Sequence, residues 1–426
     1  MEYIVKIFIT ISVSIIFTFQ LYSANKVTLN DCYESAIKNY PTVKQIEYQK
    51  NISELKIENI SSKYLPELNL FGQATYQSDV TKIVIPFPGI VIPQQDKDQY
   101  KAGISVDQLI WDGGIVSNSK EVEAAQSSAT QKSIEADLYN LKKIINDIYF
   151  NILIIRIKIG QLEITKSDLF EKLNTIKVRI SNGVLLQSNA DIIEAEILKI
   201  QQAQDELFTN AASLINSLNI LTKNSYELSD DFELPVPSYA PYPDTSRFRK
   251  EYELFSLNKT SLDALQGLNN AKYYPKLSVF GQAMYGRPGF NMFNPDFQTF
   301  YIVGIKASWN LWNWNITSRD NEALKIQKDI LNTQEELFAM NLSISLQTHI
   351  NEIDKLERMI EKDKQIIELR KKIVAQTSSQ LDNGIITATE YVAEVNAEAF
   401  AVQSLEIHKI ELVKTKVNYL TILGKM

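Results

Sequence analysis

A chain of 426 residues, 45% apolar and 22% charged, has the balance of an ordered protein and the length for more than one core, which excludes disorder as its organising state. Lys and Arg number 44 against 51 Asp and Glu, a formal charge of -7, and no basic block is interleaved with aromatics. Nothing therefore marks a nucleic-acid surface.

At the start of the chain, Lys6 is followed by an apolar stretch from Ile7 to Phe19 and by small residues Ser23 and Ala24. The pattern predicts a secretory signal peptide over residues 1–24. A retained helical anchor is the alternative, because Glu2 weakens the basic start and Tyr22 fits poorly two places before a cut at Ala24. No later run approaches the ~18 apolar residues of a spanning helix, so a mature chain that enters a membrane must do so as strands. The single Cys32 cannot form an internal disulfide, and Leu29-Asn30-Asp31 before it is not a lipidation context. It reads as a small core residue.

Next in order comes a helical stretch, Asp31 to Lys63, and then two strands that alternate. Leu68, Leu70, Ala74 and Tyr76 oppose Asn69, Gln73 and Thr75; Ala102, Ile104 and Val106 oppose Lys101, Ser105 and Asp107. A long helical pattern follows over Val116 to Ser181, interrupted by no proline and by Gly160 alone. At ~1.5 Å per residue such a helix extends roughly 100 Å, a length suited to a coiled coil or a tube wall. Asn182-Gly183 then reverses the chain into a helix over Ala190 to Leu221. Four prolines between Glu233 and Asp244 (Pro235, Pro237, Pro241, Pro243) mark a linker.

After the linker the same programme is written again. A helix is predicted over Thr245 to Lys272, strands at Leu277 to Tyr285 and Tyr301 to Asn310, a long helix over Ile316 to Asp382, a break at Asn383-Gly384 and a helix over Glu390 to Leu423. YLPELNLFGQATY (Tyr64 to Tyr76) and YYPKLSVFGQAMY (Tyr273 to Tyr285) agree at eight of thirteen positions at an offset of 209. Gly103-Ile104, Trp111 and Asn182-Gly183 match Gly304-Ile305, Trp312 and Asn383-Gly384 at an offset of 201. The expected organisation is a first repeat over residues 25–232, a linker at 233–244 and a second repeat over 245–426.

Four strands cannot enclose a channel, since even a small barrel takes about eight. If they cross a membrane, the chain must oligomerise. Tyr76, Tyr100, Trp111, Tyr285, Tyr301, Trp309, Trp312 and Trp314 gather at strand ends, where amphipathic rings suit the membrane-water boundary. The apolar loop from Ile83 to Pro93 either packs against its own barrel or covers the mouth.

The opening VTLNDCYESAIKNYP (Val27 to Pro41), the paired YLPELNLFG and YYPKLSVFG strands, the LIWDGG turn (Leu109 to Gly114) and the two Asn-Gly tips together resemble the TolC-like outer-membrane efflux protein family, over essentially the whole mature chain. The resemblance implies a mainly α protein with membrane β structure. Three subunits would give four strands each to a 12-stranded outer-membrane barrel, continued by a long α-helical barrel in the periplasm. It implies a passive exit duct of a tripartite efflux or type I secretion system, whose partners are a periplasmic adaptor protein and an inner-membrane pump. The hairpin tips, Asn182-Gly183 and Asn383-Gly384, would dock the adaptor. Matched to the family's tips, Asp191 and Glu390 are candidate carboxylates of a periplasmic gate, Glu390 the better one. Against this stand Ala393, where a second acid is expected, and a first tip two residues longer than the second. A carboxylate at a helix start also stabilises the helix dipole, so capping remains the alternative for both.

Two histidines, His349 and His408, lie on different predicted helices without a Cys partner or metal-spaced acids and read as solvated. Gly113-Gly114 lacks the Lys of a phosphate loop. No catalytic residue, metal site or cofactor is expected. The alternative function is a periplasmic coiled-coil adaptor or scaffold without a membrane barrel.

Overall fold

The computed structural model describes residues 26–81, 89, 94–240, 248–291 and 293–426. The signal segment, the apolar loop apart from Gly89, and the later part of the linker lie outside them. In chain order the elements are β1 (Lys26–Val27), α1 (Leu29–Asn39), α2 (Val43–Ser61), β2 (Glu67–Tyr76), β3 (Asp98–Trp111), α3 (Ile115–Ser181), α4 (Gln187–Thr222), β4 (Asp231–Phe232), α5 (Lys250–Ala271), β5 (Lys276–Arg287), β6 (Gln298–Ser308), α6 (Ile316–Asp382) and α7 (Ala388–Leu423). The two long helices have 67 residues each, and α4 and α7 have 36 each. Among the described residues no helix is long and apolar enough to cross a membrane.

Several boundaries differ from those expected. The helix predicted over Asp31 to Lys63 is two helices, because Pro41 has no N–H to donate and disfavours helical backbone at Tyr40. All four strands run beyond the predicted ends at their loop side or helix side, except that β6 stops at Ser308 and leaves Trp309 outside it. The short β1 and β4 carry no alternation that could announce them.

The fold comprises two compact units, and each draws chain from both sequence halves. In the first (residues 26–39, 143–239 and 352–417), β1 lies parallel to β4, pairing Lys26 with Asp231 and Val27 with Phe232. The fully buried Tyr149 fastens this pair: its hydroxyl shares its proton between the carbonyls of Val27 at 2.8 Å and Glu233 at 2.7 Å. Burial pushes the Tyr149 phenol up, so it stays a donor. Cys32 is a buried core residue, as expected, and desolvation raises its thiol to about 12. Tyr149→Phe removes the donor and costs about 1–3 kcal/mol. Because Cys32 is the chain's only thiol, its labelling in the folded protein should speed up by about tenfold or more, the equivalent of about 1.4 kcal/mol.

The second unit (residues 40–142, 240–351 and 418–426) contains the four-stranded sheet, in the order β2-β3-β5-β6 and antiparallel throughout. Beside it, the start of α3 is tied to α5 by Lys132, 3.0 Å from Glu253, and α5 to α6 by Lys259, 2.7 Å from Glu335. Tyr252 and Phe255 meet Phe338 edge to face.

Each strand pair ends in a tight joint to its long helix. In the first, the buried Asp112 accepts the Gly114 N–H at 3.0 Å and the Val116 N–H at 2.7 Å, capping α3. Gly113 and Gly114 have φ of +75° and +91°, and a Cβ on Gly113 would lie 2.5 Å from that of Tyr274. In the second, Trp314 and Asn315 stand where the glycines do, yet adopt φ of +54° and +58°. The two joints therefore share their backbone handedness. They differ in what occupies the left-handed positions.

Candidate functional site

The sheet acquires its character from register. Leu68 faces Val106, Leu70 faces Ile104, and Ala74 faces Tyr100. Ala102 faces Tyr285 and Ile104 faces Ala283. Val279 faces Ile305, Gly281 faces Val303, and Ala283 faces Tyr301. Successive side chains alternate across a strand, so these pairings bring Leu68, Leu70, Ile104, Val106, Val279, Tyr285, Tyr301, Val303 and Ile305, drawn from all four strands, to one side. The other side collects Asn69, Gln73, Thr75, Lys101, Ser105, Asp107, Ser278, Gln282 and Lys306. Phe71, Phe280, Met284, Phe300 and Ile302 are apolar residues on that side as well, the Phe280 ring lying over Gly304 where a Cβ would stand.

On the apolar side large residues lie bare to solvent in the single chain, with Leu70 83% exposed and Val303 and Ile305 above 70%. Burying such a face is worth ~25 cal/mol per Å², so it is a contact surface rather than a water-facing one. Aromatic residues bound it. At the loop end Phe297 stacks on Tyr285 and Tyr100, with the Arg287 guanidinium over Tyr100 and Phe297 and 2.9 Å from Asp96. At the helix end Trp111 meets Tyr274 edge to face, and Trp309 donates to the Tyr273 carbonyl at 2.9 Å. Tyr301 and Trp309 are eight residues apart, about 27 Å along a strand. Tyr76 is exposed at the loop end of β2, and Trp312 lies beyond β6 in the second joint.

The other predicted site is the pair of hairpin tips in the first unit. Each long helix closes with the same hydrogen bonds: Gly183 N–H to Ile180 and Val184 N–H to Arg179, then Gly384 N–H to Leu381 and Ile385 N–H to Gln380. This Schellman closure needs a left-handed residue after the cap, and Gly183 and Gly384 supply it at φ +70° and +68°. Asn182 and Asn383 are the caps. Both turns hold five residues, 182–186 and 383–387, so the first tip is not the longer one.

With turns of equal length, the residue equivalent to Glu390 is Asn189, at the offset of 201, and Asp191 lies two places further into its helix. Glu390 accepts the Thr387 N–H at 2.8 Å and its hydroxyl at 3.0 Å, while the Glu390 N–H points to the Thr387 hydroxyl at 3.4 Å. That is a capping box. The Thr387 backbone bond holds the exposed Glu390 carboxyl below its ordinary value. Asp191 is exposed and accepts from Gln187 at 2.9 Å, on its own helix.

Sequence reasoning missed what joins the tips. Asn189 Oδ1 accepts the Ala388 N–H at 3.0 Å, capping α7 from the other hairpin. The Lys172 ammonium, 8% exposed, donates to Ser378 Oγ at 2.9 Å, the Ser378 carbonyl at 3.2 Å and Asp382 at 2.9 Å. It also lies 5.1 Å above the Tyr391 ring. Arg179 bonds the Asp382 carbonyl, and Asn396 donates to Glu196 at 2.8 Å. Beneath these, Leu169, Leu173, Ile176, Ile193, Leu381 and Tyr391 share one core. Val184, Leu186 and Ile385 remain exposed at the turns. The lysines and aromatics were visible in the sequence, but their partners lie about 200 residues away.

His408 also departs from expectation: its ring nitrogen lies 2.6 Å from Asp363, both side chains under a fifth exposed, so it is an interhelix partner and not a solvated residue. His349 contacts the Ser345 carbonyl at 2.8 Å on its own helix. Among the described residues no group of three or more His, Cys, Asp or Glu could hold a metal.

No family model matches the sequence, and no curated protein matches it. Solved structures do match. The outer membrane protein VceC of Vibrio cholerae aligns at a TM-score of 0.67 and 11% identity, over 93% of this chain and 96% of that one. CusC, described for the conformational changes accompanying its folding and transmembrane channel formation, aligns at 0.71 and 13% identity, over 93% and 92%. The CmeC outer membrane channel of Campylobacter jejuni aligns at 0.65 and 14% identity, over 93% and 85%. The chain has the fold of these outer-membrane channels, which is the fold that its resemblance to the TolC-like outer-membrane efflux proteins implies.

Proposed function

We propose that the chain is a TolC-like outer-membrane efflux protein, one of three identical subunits of a passive exit duct with its helices in the periplasm. The observation that carries this reading is the open sheet whose four apolar faces coincide. Among the described residues its outer strands β2 and β6 have free edges, and in lipid an unpaired edge is too costly to persist. Because β6 runs opposite to β2 within the sheet, β6 of one copy can pair antiparallel with β2 of the next. Head-to-tail pairing of that kind closes into a ring, and three copies make twelve strands, an even number around a polar lumen. The two sequence halves are read as an internal duplication.

In this reading the duct binds no cofactor and catalyses no reaction. It joins a periplasmic adaptor and an inner-membrane pump, in tripartite efflux or type I secretion, and the pump supplies the energy. The tips around Asn182, Gly183, Asn383 and Gly384, with Val184, Leu186 and Ile385 exposed beside them, are the proposed adaptor contact. A soluble coiled-coil adaptor accounts for the helices but leaves the apolar side of the sheet bare. Cysteines at Ala74 and Gln73, neighbours on opposite sides of β2, test the reading: a lipid-soluble thiol reagent should label the first and spare the second. Equal labelling would refute the orientation.

Glu390 and Asp191 are proposed as carboxylates of the periplasmic gate, with Glu390 also serving its helix cap. Glu390→Ala should then change single-channel conductance or cation preference in planar bilayers, and an unchanged channel leaves the cap as its whole role. Its lowered folded value gives the cap a pH dependence. The contribution is complete above the ordinary value of 4.5 and is lost as pH falls through the lower folded value. Amide exchange at the start of α7 should accelerate in that acidic window, and Glu390→Gln should remove the dependence.

A further inference from the structure

The side of the sheet that carries Asn69 and Gln73 is not uniformly polar. Register sets Phe71, Gly103, Met284 and Phe300 in one row across the four strands, with no charged or hydroxyl group among them. Four residues away along the strands, about 13 Å, a second row holds Glu67, Asp107, Phe280 and Gly304. Large side chains lie flat in both rows. A Cβ on Gly103 would be 2.8 Å from Met284 Cγ, and one on Gly304 would be 2.9 Å from the Phe280 ring, so the glycines let these side chains run along the wall. Phe290, from the loop between β5 and β6, already sits on the first row, edge to face with Phe300 at 4.8 Å.

Neither row suits water alone. An apolar row on a solvated wall is unfavourable in proportion to its area, and Glu67 stands directly opposite Asp107, a like-charge pairing that destabilises a sheet. Among the described residues the one side-chain partner of either carboxylate is Asn69, whose amide donates to Glu67 at 3.3 Å. Lys101 and Lys306 stand in the rows beyond, one on each flank. A cavity of about 640 Å³ opens beside the two carboxylates, lined also by Leu65, Leu109 and Lys63. An organic cation complements this surface: the carboxylates and the Phe280 face meet its charge, and the first row meets its apolar body. We infer that this part of the wall is a binding site for organic cations with an aromatic body. A duct that only conducts needs no such surface. The inference rests on reading this side of the sheet as the lumen of the proposed duct.

Equilibrium dialysis of radiolabelled tetraphenylphosphonium against the protein in lipid nanodiscs, with empty nanodiscs as the blank, tests the site. Two competitors separate body from charge: tetraethylammonium keeps the charge without the rings, and naphthalenesulfonate keeps rings with the opposite charge. The site requires saturable binding above the blank, with tetraethylammonium displacing the probe at roughly tenfold or more the concentration of unlabelled probe, and naphthalenesulfonate not displacing it. F71S/F300S strips the first row and should weaken binding about tenfold. E67Q/D107N keeps the shapes, removes both charges at exposed positions, and should weaken it about fivefold. Because the second variant is isosteric, it decides the matter if the first does not assemble. Absence of saturable binding, or binding that E67Q/D107N leaves unchanged, would overturn the site and leave the membrane wall standing. A protein that does not enter the nanodisc bilayer would overturn both.

Discussion

Replacing Leu70 by Arg should abolish the assembled membrane form, whereas the same replacement at the adjacent Asn69 should leave it intact. Both residues are exposed in the single chain, on the same edge strand, and differ in the side of the sheet they occupy. Leu70 pairs with Ile104, which pairs with Ala283, which pairs with Tyr301, in the middle of the apolar face. An arginine near the midplane of a barrel's lipid side costs ~2–4 kcal/mol, and in the proposed assembly of three copies this becomes roughly 6–12 kcal/mol. Asn69 faces the polar side, where an arginine is solvated and should cost under about 1 kcal/mol. Recovery of oligomer on unheated gels, with denaturant titration of what survives, measures both. Equal effects at the two positions would mean that neither side meets lipid.

The second large effect is expected at the hairpin tips. Lys172→Met removes an 8% exposed ammonium that bonds Ser378 twice and Asp382 once. Breaking one partner of a buried, hydrogen-bonded pair costs about 3–5 kcal/mol, and here the lower end applies, because Arg179 still reaches Asp382. Lys177→Met is the control. Lys177 lies only 2.6 Å from Glu194, but both side chains are about half exposed. Solvent screens such a pair, and its loss should change stability by less than about 1 kcal/mol. Hydrogen exchange over residues 376–382 separates the two: protection collapses in the first variant and persists in the second. If both lose protection alike, burial is not what makes the Lys172 tie strong.

What the sequence revealed was periodicity. Alternation marked all four strands, the absence of proline marked both long helices, and Asn-Gly marked both reversals, because each depends on neighbours a few residues apart. The break at Pro41 was also local, and an Ala, Glu, Lys and Leu-rich composition hid it. Partners from distant chain could not be seen. Asp363 for His408, Val27 and Glu233 for Tyr149, and Ser378 and Asp382 for Lys172 are brought near by helix packing, which leaves no spacing in the sequence. The tips show the difference most clearly: motif matching equated Asp191 with Glu390, whereas turns of equal length put Asn189 there, and Asn189 caps the other hairpin. Register lay between these cases. Each strand announced an apolar face, but only the pairing determined that the four faces coincide.

That coincidence, with two free edges, leads to the claim that three copies share one barrel. The native mass of the protein extracted from membranes in mild detergent tests it most directly. The account predicts three chains per particle, stable to dilution and lost when detergent is withdrawn. A monomer that remains in solution without detergent would contradict it.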